Sequence, residues 1–287
     1  MTKALAPIIF VLTWLASPAF AQVDYSPSDS SFIVSLLKKA DRSAGTSSLA
    51  LSFAREFIGC PYVAHTLEAH ETERLIVDTR RLDCTTLVEN VAALTICAAK
   101  GLTAFSNFTS ILTALRYHGG KIDQYPSRLH YFSEWIEDNT AKGFVNEIQT
   151  PNPPFTAVQR LVLNYMSRHT GSYKALRDNP AFVREIIKHE KALAGKTYKY
   201  IPKAEIKNTA MMRNTINDGD IIAIVSNKPG LDIAHVGVAV WHKDGLHLLN
   251  ASMIHHKVVE EPMTLRRYLQ KHPSHLGIRV IRINNNN

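Results

Sequence analysis

The sequence predicts an α+β fold in which amphipathic N-terminal helices pack on an antiparallel sheet formed by the C-terminal part of the chain. Three observations carry that expectation. Apolar residues recur at helical i, i+3, i+4 spacing up to about residue 100, four strand-like runs separated by turn signals follow residue 218, and no internal repeat is visible. With 287 residues, the chain can bury one large core, or a core domain carrying a sizeable insertion.

Taken in order, the opening MTKALAPIIFVLTWLASPAFAQ joins a basic Lys3, an apolar stretch over residues 8–15 and the small-x-small pattern Ala19-Phe20-Ala21. That is the pattern of a cleaved export leader, too short and wrongly flanked for a stable membrane span. Residues 1–21 are expected to be a signal peptide and 22–287 a single domain, periplasmic or secreted. SSFIVSLLKKADR and SSLALSFAREFIG read as amphipathic helices, followed by a loop around CPYVAHTLEAHETER and a short strand-like LIVDTR. Residues 101 to about 200 read as a large helical insertion, with candidate helices AFSNFTSILTALRYH and PAFVREIIKHEKALA, an aromatic stretch RLHYFSEWIEDN and a breaker TPNPPF. GDIIAIVSN, HVGVAVWH, LHLLNAS and LGIRVIRI supply the sheet, and the final INNNN reads as a disordered tail.

Without the leader's Lys3, 32 basic residues face 25 acidic ones, a balance of +7. A basic surface suits nucleic acid, anionic lipid or an anionic cell-wall polymer. The charges are scattered, with no dense Lys/Arg run and no aromatic-interleaved basic motif, which argues against nucleic acid. The three cysteines, Cys60, Cys84 and Cys97, are an odd count, so a disulfide framework is not the main device. Cys97 lies inside AALTICAA and reads as a buried inert thiol, and Cys60 in FIGCPY as a small filler at a helix end. None of the thirteen histidines falls in an H-E-x-x-H pattern and no paired C-x-x-C is present, so neither a metal nor another cofactor is expected.

Cys84 differs by position. In RRLDCTTLVENVAALT, Leu87, Val88, Val91, Leu94 and Thr95 define one helical face, and Asp83 is a good N-cap, making Cys84 the first helical residue. At a helix start, unpaired N–H groups and the positive dipole end favour the nucleophilic thiolate, and the same N–H groups can hold an oxyanion. A capped helix with a cysteine near its start also occurs as plain structure. A base would separate the two readings. The candidate is His235, which opens the strand HVGVAVW; KDG signals a hairpin and LHLLNA returns, ending on Asn250.

The order Asp-Cys at a helix start, His-Val-Gly-Val on a strand, then a polar residue before Ala on the next strand resembles the NlpC/P60 papain-like cell-wall hydrolases. The fuller set PYVAHTLE, RLDCTTLVENVAAL, SRLHYFSEWIEDN, DIAHVGVAV and HLLNAS resembles the AmiA-like branch of that superfamily, whose members resemble N-acetylmuramoyl-L-alanine amidases. The resemblance runs from about residue 50 to the C-terminus. It implies a papain-like core and a peptidoglycan or muropeptide substrate. It also implies Cys84 as nucleophile, His235 as general base and later acid, and Asn250 as the residue that orients the imidazole, with Tyr62, Asp83 and Thr85 lining the cleft. Asp83 keeps its competing use as the cap. A wall-binding module without catalysis and a D,L-endopeptidase acting on the stem peptide are the alternatives.

Hairpin register decides whether Asn250 reaches His235. A two-residue turn at Asp244-Gly245 would set Asn250 opposite Ala239, about 13 Å along the strand from His235. A four-residue loop over 241–244 would set it opposite His235, so the catalytic reading needs the longer loop, a bulge or strong strand coiling. In SRLHYFSEWIEDN, Arg128 and Tyr131 suit a cleft for a stem carboxylate and a sugar face. Tyr131 and Trp135, spaced i, i+4, equally suit an aromatic stripe in the core.

Overall fold

The computed structural model describes residues 23–284, so the expected leader and residues 285–287 lie outside the described residues. A short parallel pair, β1 (Val23–Tyr25) with β2 (Leu75–Val77), brackets the first two helices. α1 (Pro27–Lys39) starts at Ser26, where a capping box with Asp29 and a proline in the first turn fix the entry. The Asp29 carboxylate is buried and also accepts from Thr79 N at 2.9 Å and its hydroxyl at 2.7 Å, tying the helix start to the loop after β2. α2 (Thr46–Glu56) follows, and then the central helix α3 (Cys84–Ala99), in which every residue from Thr86 to Ala98 is buried.

A helix apolar on all sides is a core helix, and here the neighbours are α1, α2, α4 (Phe105–Arg116) and the sheet. One ion pair fastens α3 within this layer. Arg116 at the end of α4 donates to Glu89 at 2.7 Å, and to the Ile76 carbonyl of β2 at 2.7 Å, with both charged side chains 2% exposed. α5 (Phe132–Ala141) adds Trp135, which is fully buried.

The rest of the chain runs through β3 (Val145–Ile148), β4 (Ala157–Arg160), the short α6 (Tyr165–Arg168) and α7 (Lys174–Arg177), α8 (Pro180–Leu193) and β5 (Thr197–Pro202). It ends with α9 (Ala210–Thr215), β6 (Ile221–Ser226), β7 (Ile233–Trp241), β8 (Leu246–Ser252), β9 (Lys257–Glu260), α10 (Leu265–Gln270) and β10 (His275–Ile283). The larger sheet is antiparallel in the order β4-β5-β10-β6-β7-β8-β9, with β3 also paired to β10. β6 is buried throughout. Its Ile221, Ala223 and Val225 join the core around α3, whereas Ile222 and Ile224 join a second core with α9 and α10. Helices therefore cover both faces of the sheet.

The mixed α+β class and the antiparallel sheet are as expected. The segment from 101 to 200 is not purely helical. Phe108, Leu112, Leu115, Phe132 and Trp135 belong to the main core, and β3, β4 and β5 extend the sheet. Strands of four residues such as VNEI and AVQR are too short to display alternation, and the proline-rich TPNPPF between them reads as loop. The expected tail also starts later: Ile283 closes β10, and Asn284 N donates to the Phe144 carbonyl at 2.9 Å. Among the described residues, no helix is long and apolar enough to cross a membrane.

Candidate active site

Asp83 caps α3 with extended backbone, φ −100° and ψ −179°. Its carboxylate accepts from Thr86 N at 2.8 Å, and Thr86 Oγ1 in turn accepts from Asp83 N at 2.9 Å. Leu87 N donates to the Asp83 carbonyl at 3.0 Å. The N–H groups of Cys84 and Thr85 have no acceptor among the described residues, which leaves two donors beside the sulfur. Tyr62 is bridged in parallel to Leu82, one residue before the cap. Its hydroxyl pKa is raised by burial and by negative charge at Cys84 and Asp83, which places the phenol near both.

His235 sits at an irregularity in the β6–β7 ladder: Ile224 pairs with His235 but Val225 pairs with Ile233, so Ala234 is the extra residue. Bulges of this kind re-aim the neighbouring side chain. The imidazole lies near enough to the Cys84 sulfur to feel its charge. Its Nε2 donates to Asn250 Oδ1 at 2.9 Å, which leaves Nδ1 for the thiol. Burial alone would push the imidazole down. The Cys84 sulfur, the hydrogen bond to Asn250 and the Glu261 carboxylate outweigh it and raise His235 above the ordinary histidine value.

The hairpin resolves the register question in an unforeseen way. The loop has four residues, but they are 242–245, with His242 N donating to the Gly245 carbonyl at 2.9 Å and Trp241 paired with Leu246. Extending that register sets Asn250 across from Gly237, on the same face as His235 and one diagonal step away. Diagonal partners lie about 7–8 Å apart at the backbone, within reach of an amide and an imidazole. A Cβ at Gly237 would stand 2.7 Å from the Leu249 carbonyl and 2.9 Å from the Leu248 side chain, so the close approach of β8 needs glycine there.

Beyond Asn250 lies a buried carboxylate that the sequence reading missed. Glu261 is 2% exposed, accepts from Ser252 Oγ at 3.2 Å and His255 Nε2 at 3.2 Å, and receives a long contact from Asn250 Nδ2 at 3.5 Å. It follows β9 in an irregular turn, where no periodicity marks it as internal.

Cys84, Thr85 and His235 line one cavity of about 260 Å³. Tyr131 is in its wall with a committed hydroxyl, donating to Glu190 at 2.8 Å and accepting from Met166 N at 3.0 Å, so the ring is what it presents. Trp135 takes the core alternative. Glu68 and Asp232 are in the same wall, the Asp232 carboxylate being buried and accepting from Ser133 N at 2.7 Å, and neither was singled out from the sequence. Arg128 is elsewhere. It lines a different cavity, and its guanidinium is bound to Glu73 by contacts of 2.7 to 3.1 Å and to the Leu67 carbonyl at 3.2 Å, so the expected partner, a stem carboxylate, is replaced by an internal one.

A family model described as AmiA-like, N-acetylmuramoyl-L-alanine amidase-like, matches residues 52–278. The chain belongs to this AmiA-like family. Among solved structures it is similar to an N-acetylmuramoyl-L-alanine amidase from Bacteroides uniformis ATCC 8492, at 40% identity and a TM-score of 0.79, covering 83% of this chain and 99% of that one. A Bacteroides fragilis protein named a "putative xylanase" matches at 40% identity and a TM-score of 0.76, covering 81% and 100%. A Legionella pneumophila protein shares the fold at 20% identity and a TM-score of 0.68, covering 89% and 94%. No curated protein matches. The AmiA-like match includes Cys84, His235, Asn250 and Glu261 within its bounds.

Proposed function

We propose that this AmiA-like protein is an exported cysteine hydrolase of papain-like, NlpC/P60 type that cuts the amide bond between N-acetylmuramic acid and L-Ala in peptidoglycan or its fragments. The observation that carries the reading is the imidazole of His235, held by Asn250 and electrostatically coupled to a sulfur at a helix start with two free N–H groups beside it. The Cys84 sulfur attacks the lactyl carbonyl carbon, forming a C–S bond, and the N–H groups of Cys84 and Thr85 hold the oxyanion. His235 gives its Nδ1 proton to the L-Ala nitrogen as the C–N bond breaks and the peptide leaves. Water then attacks the thioester, His235 takes its proton, and the sulfur departs. Asn250 fixes the ring without adding charge, and Glu261 supplies the negative field behind it.

A glycosidase would need a carboxylate pair flanking a sugar–sugar bond and would leave the thiol and imidazole without a task. Glu68 in the cavity wall favours one second reading, a D,L-endopeptidase that pairs a carboxylate with the ammonium of a free L-Ala. Mass spectrometry of products from a defined muropeptide and from its sugar-free stem peptide separates the two. Free sugar plus a peptide beginning with L-Ala is expected; an untouched muropeptide, with L-Ala-D-Glu released only from the sugar-free stem peptide, would establish the endopeptidase instead.

A further inference from the structure

Away from the thiol, three residues from distant parts of the chain converge: His118 just beyond α4, Glu134 in the first turn of α5, and His189 in α8. Glu134 Oε1 lies 3.2 Å from His118 Nε2 and 2.9 Å from His189 Nδ1, and the three donor atoms are all within 4.8 Å of one another. His118 Nε2 is buried and lacks hydrogen-bond geometry to any partner among the described residues. The side chains of His118, Glu134 and His189 are 26%, 10% and 28% exposed, so an ion could reach them. Both imidazoles line a cavity of about 430 Å³ that shares no wall residue with the thiol cavity.

We propose that His118, Glu134 and His189 bind one divalent transition-metal ion, zinc above all, and that the ion clamps α8 onto α5 and the end of α4. Four ligands about 2.0–2.1 Å from a tetrahedral zinc ion stand about 3.3 Å from each other, close to the two separations to Glu134. Two imidazoles and one carboxylate are a borderline donor set that suits zinc over calcium or magnesium, and a water from the cavity completes the fourth position. The role is structural. The site includes neither Cys84 nor His235, whereas α8 carries Ile186 and Leu193, which pack in a separate apolar cluster with Tyr131, Leu161 and Met166 that the clamp would hold against the main body. The expectation of no metal followed from sequence spacing, and these ligands fall in no compact motif.

The test uses the full chain as Cys84→Ala, so that the sulfur of the candidate active site cannot take the ion, stripped by chelator and titrated calorimetrically with Zn²⁺ alone. One equivalent is expected, with a rise of several degrees in Tm. Glu134→Gln and His189→Gln should each weaken binding by at least about tenfold, since even partners one step removed from a metal are worth about 10–100-fold. His242→Asn, in the separate cluster with Asp244 and His247, should leave the affinity unchanged. Co²⁺ added to the same Cys84→Ala chain should give the visible absorption of a tetrahedral nitrogen and oxygen site, a readout needing no substitution in the cluster. Absence of stoichiometric binding, or binding that survives both Glu134→Gln and His189→Gln, overturns the proposal.

Discussion

Cys84 is a half-buried side chain at the start of a helix whose cap is made by Asp83 and Thr86, so removing its sulfur leaves the helix entry intact. Cys84→Ala is therefore expected to abolish turnover while Tm stays within a few degrees of wild type; full activity in that variant would exclude thiol chemistry. The pH profile tests the groups behind His235. If the working state is thiolate with imidazolium, activity is bell-shaped and its alkaline limb follows loss of the His235 proton. Asn250 and Glu261 both raise His235, so Asn250→Ala and Glu261→Gln should move that limb to lower pH, and an unmoved limb would leave Glu261 a purely structural residue. Arg128 yields a prediction of the other kind. Its guanidinium and the Glu73 carboxylate are 9% and 4% exposed, so Arg128→Ala strands a buried charge and should cost about 3–5 kcal/mol of stability in denaturant titrations. A selective rise in KM with stability unchanged would return Arg128 to the substrate site.

At the level of elements, long periodic segments were legible and short ones were not. α1, α2, α3, α4 and α8 follow their apolar spacing, and β6, β7, β8 and β10 their alternation, because each spans enough residues for a period to repeat. β1, β3 and β4 have three or four residues and take their conformation from partners distant in sequence, which no local pattern records, and β9, although it pairs with the preceding β8, has only four residues. The same logic applies to the site. Cys84 and His235 are legible from helix cap and strand start, whereas Glu68 lies in a single 3-10 turn, Asp232 and Glu261 flank strands, and these come near the site only through tertiary packing. Within α3, Cys97 is fully buried, and burial pushes its thiol up to about 12, which marks it as inert. Cys97→Ser should cost about 1–3 kcal/mol by placing a hydroxyl in an apolar site, with kcat unchanged under conditions where the variant is folded. A loss of kcat in fully folded protein would contradict that assignment.

On the scale of the whole molecule, the stretch from 101 to 200 is part of the structure that carries the site. It contributes Trp135 and Phe108 to the main core and three strands to the sheet. A chain lacking those residues should show no cooperative thermal transition; a sharp melt with retained turnover would mean that the stretch is dispensable after all. The stretch reads as an insertion from sequence because its strongest local signals are helical and its link to the rest of the sheet is through β10, far away in the chain.

The helix that carries the sulfur and the hairpin that carries the imidazole and amide come from opposite parts of the chain, and all the strands flanking the hairpin lie between them or after them. This arrangement imposes an order in time. During synthesis the thiol is made long before its base exists, and a nascent or half-threaded chain holds a cysteine with nothing to activate it. Only when the last strand, β10, has slotted in between β5 and β6 are both halves of the sheet joined. Competence thus arrives together with completion, and an unfinished chain holds the sulfur without its base.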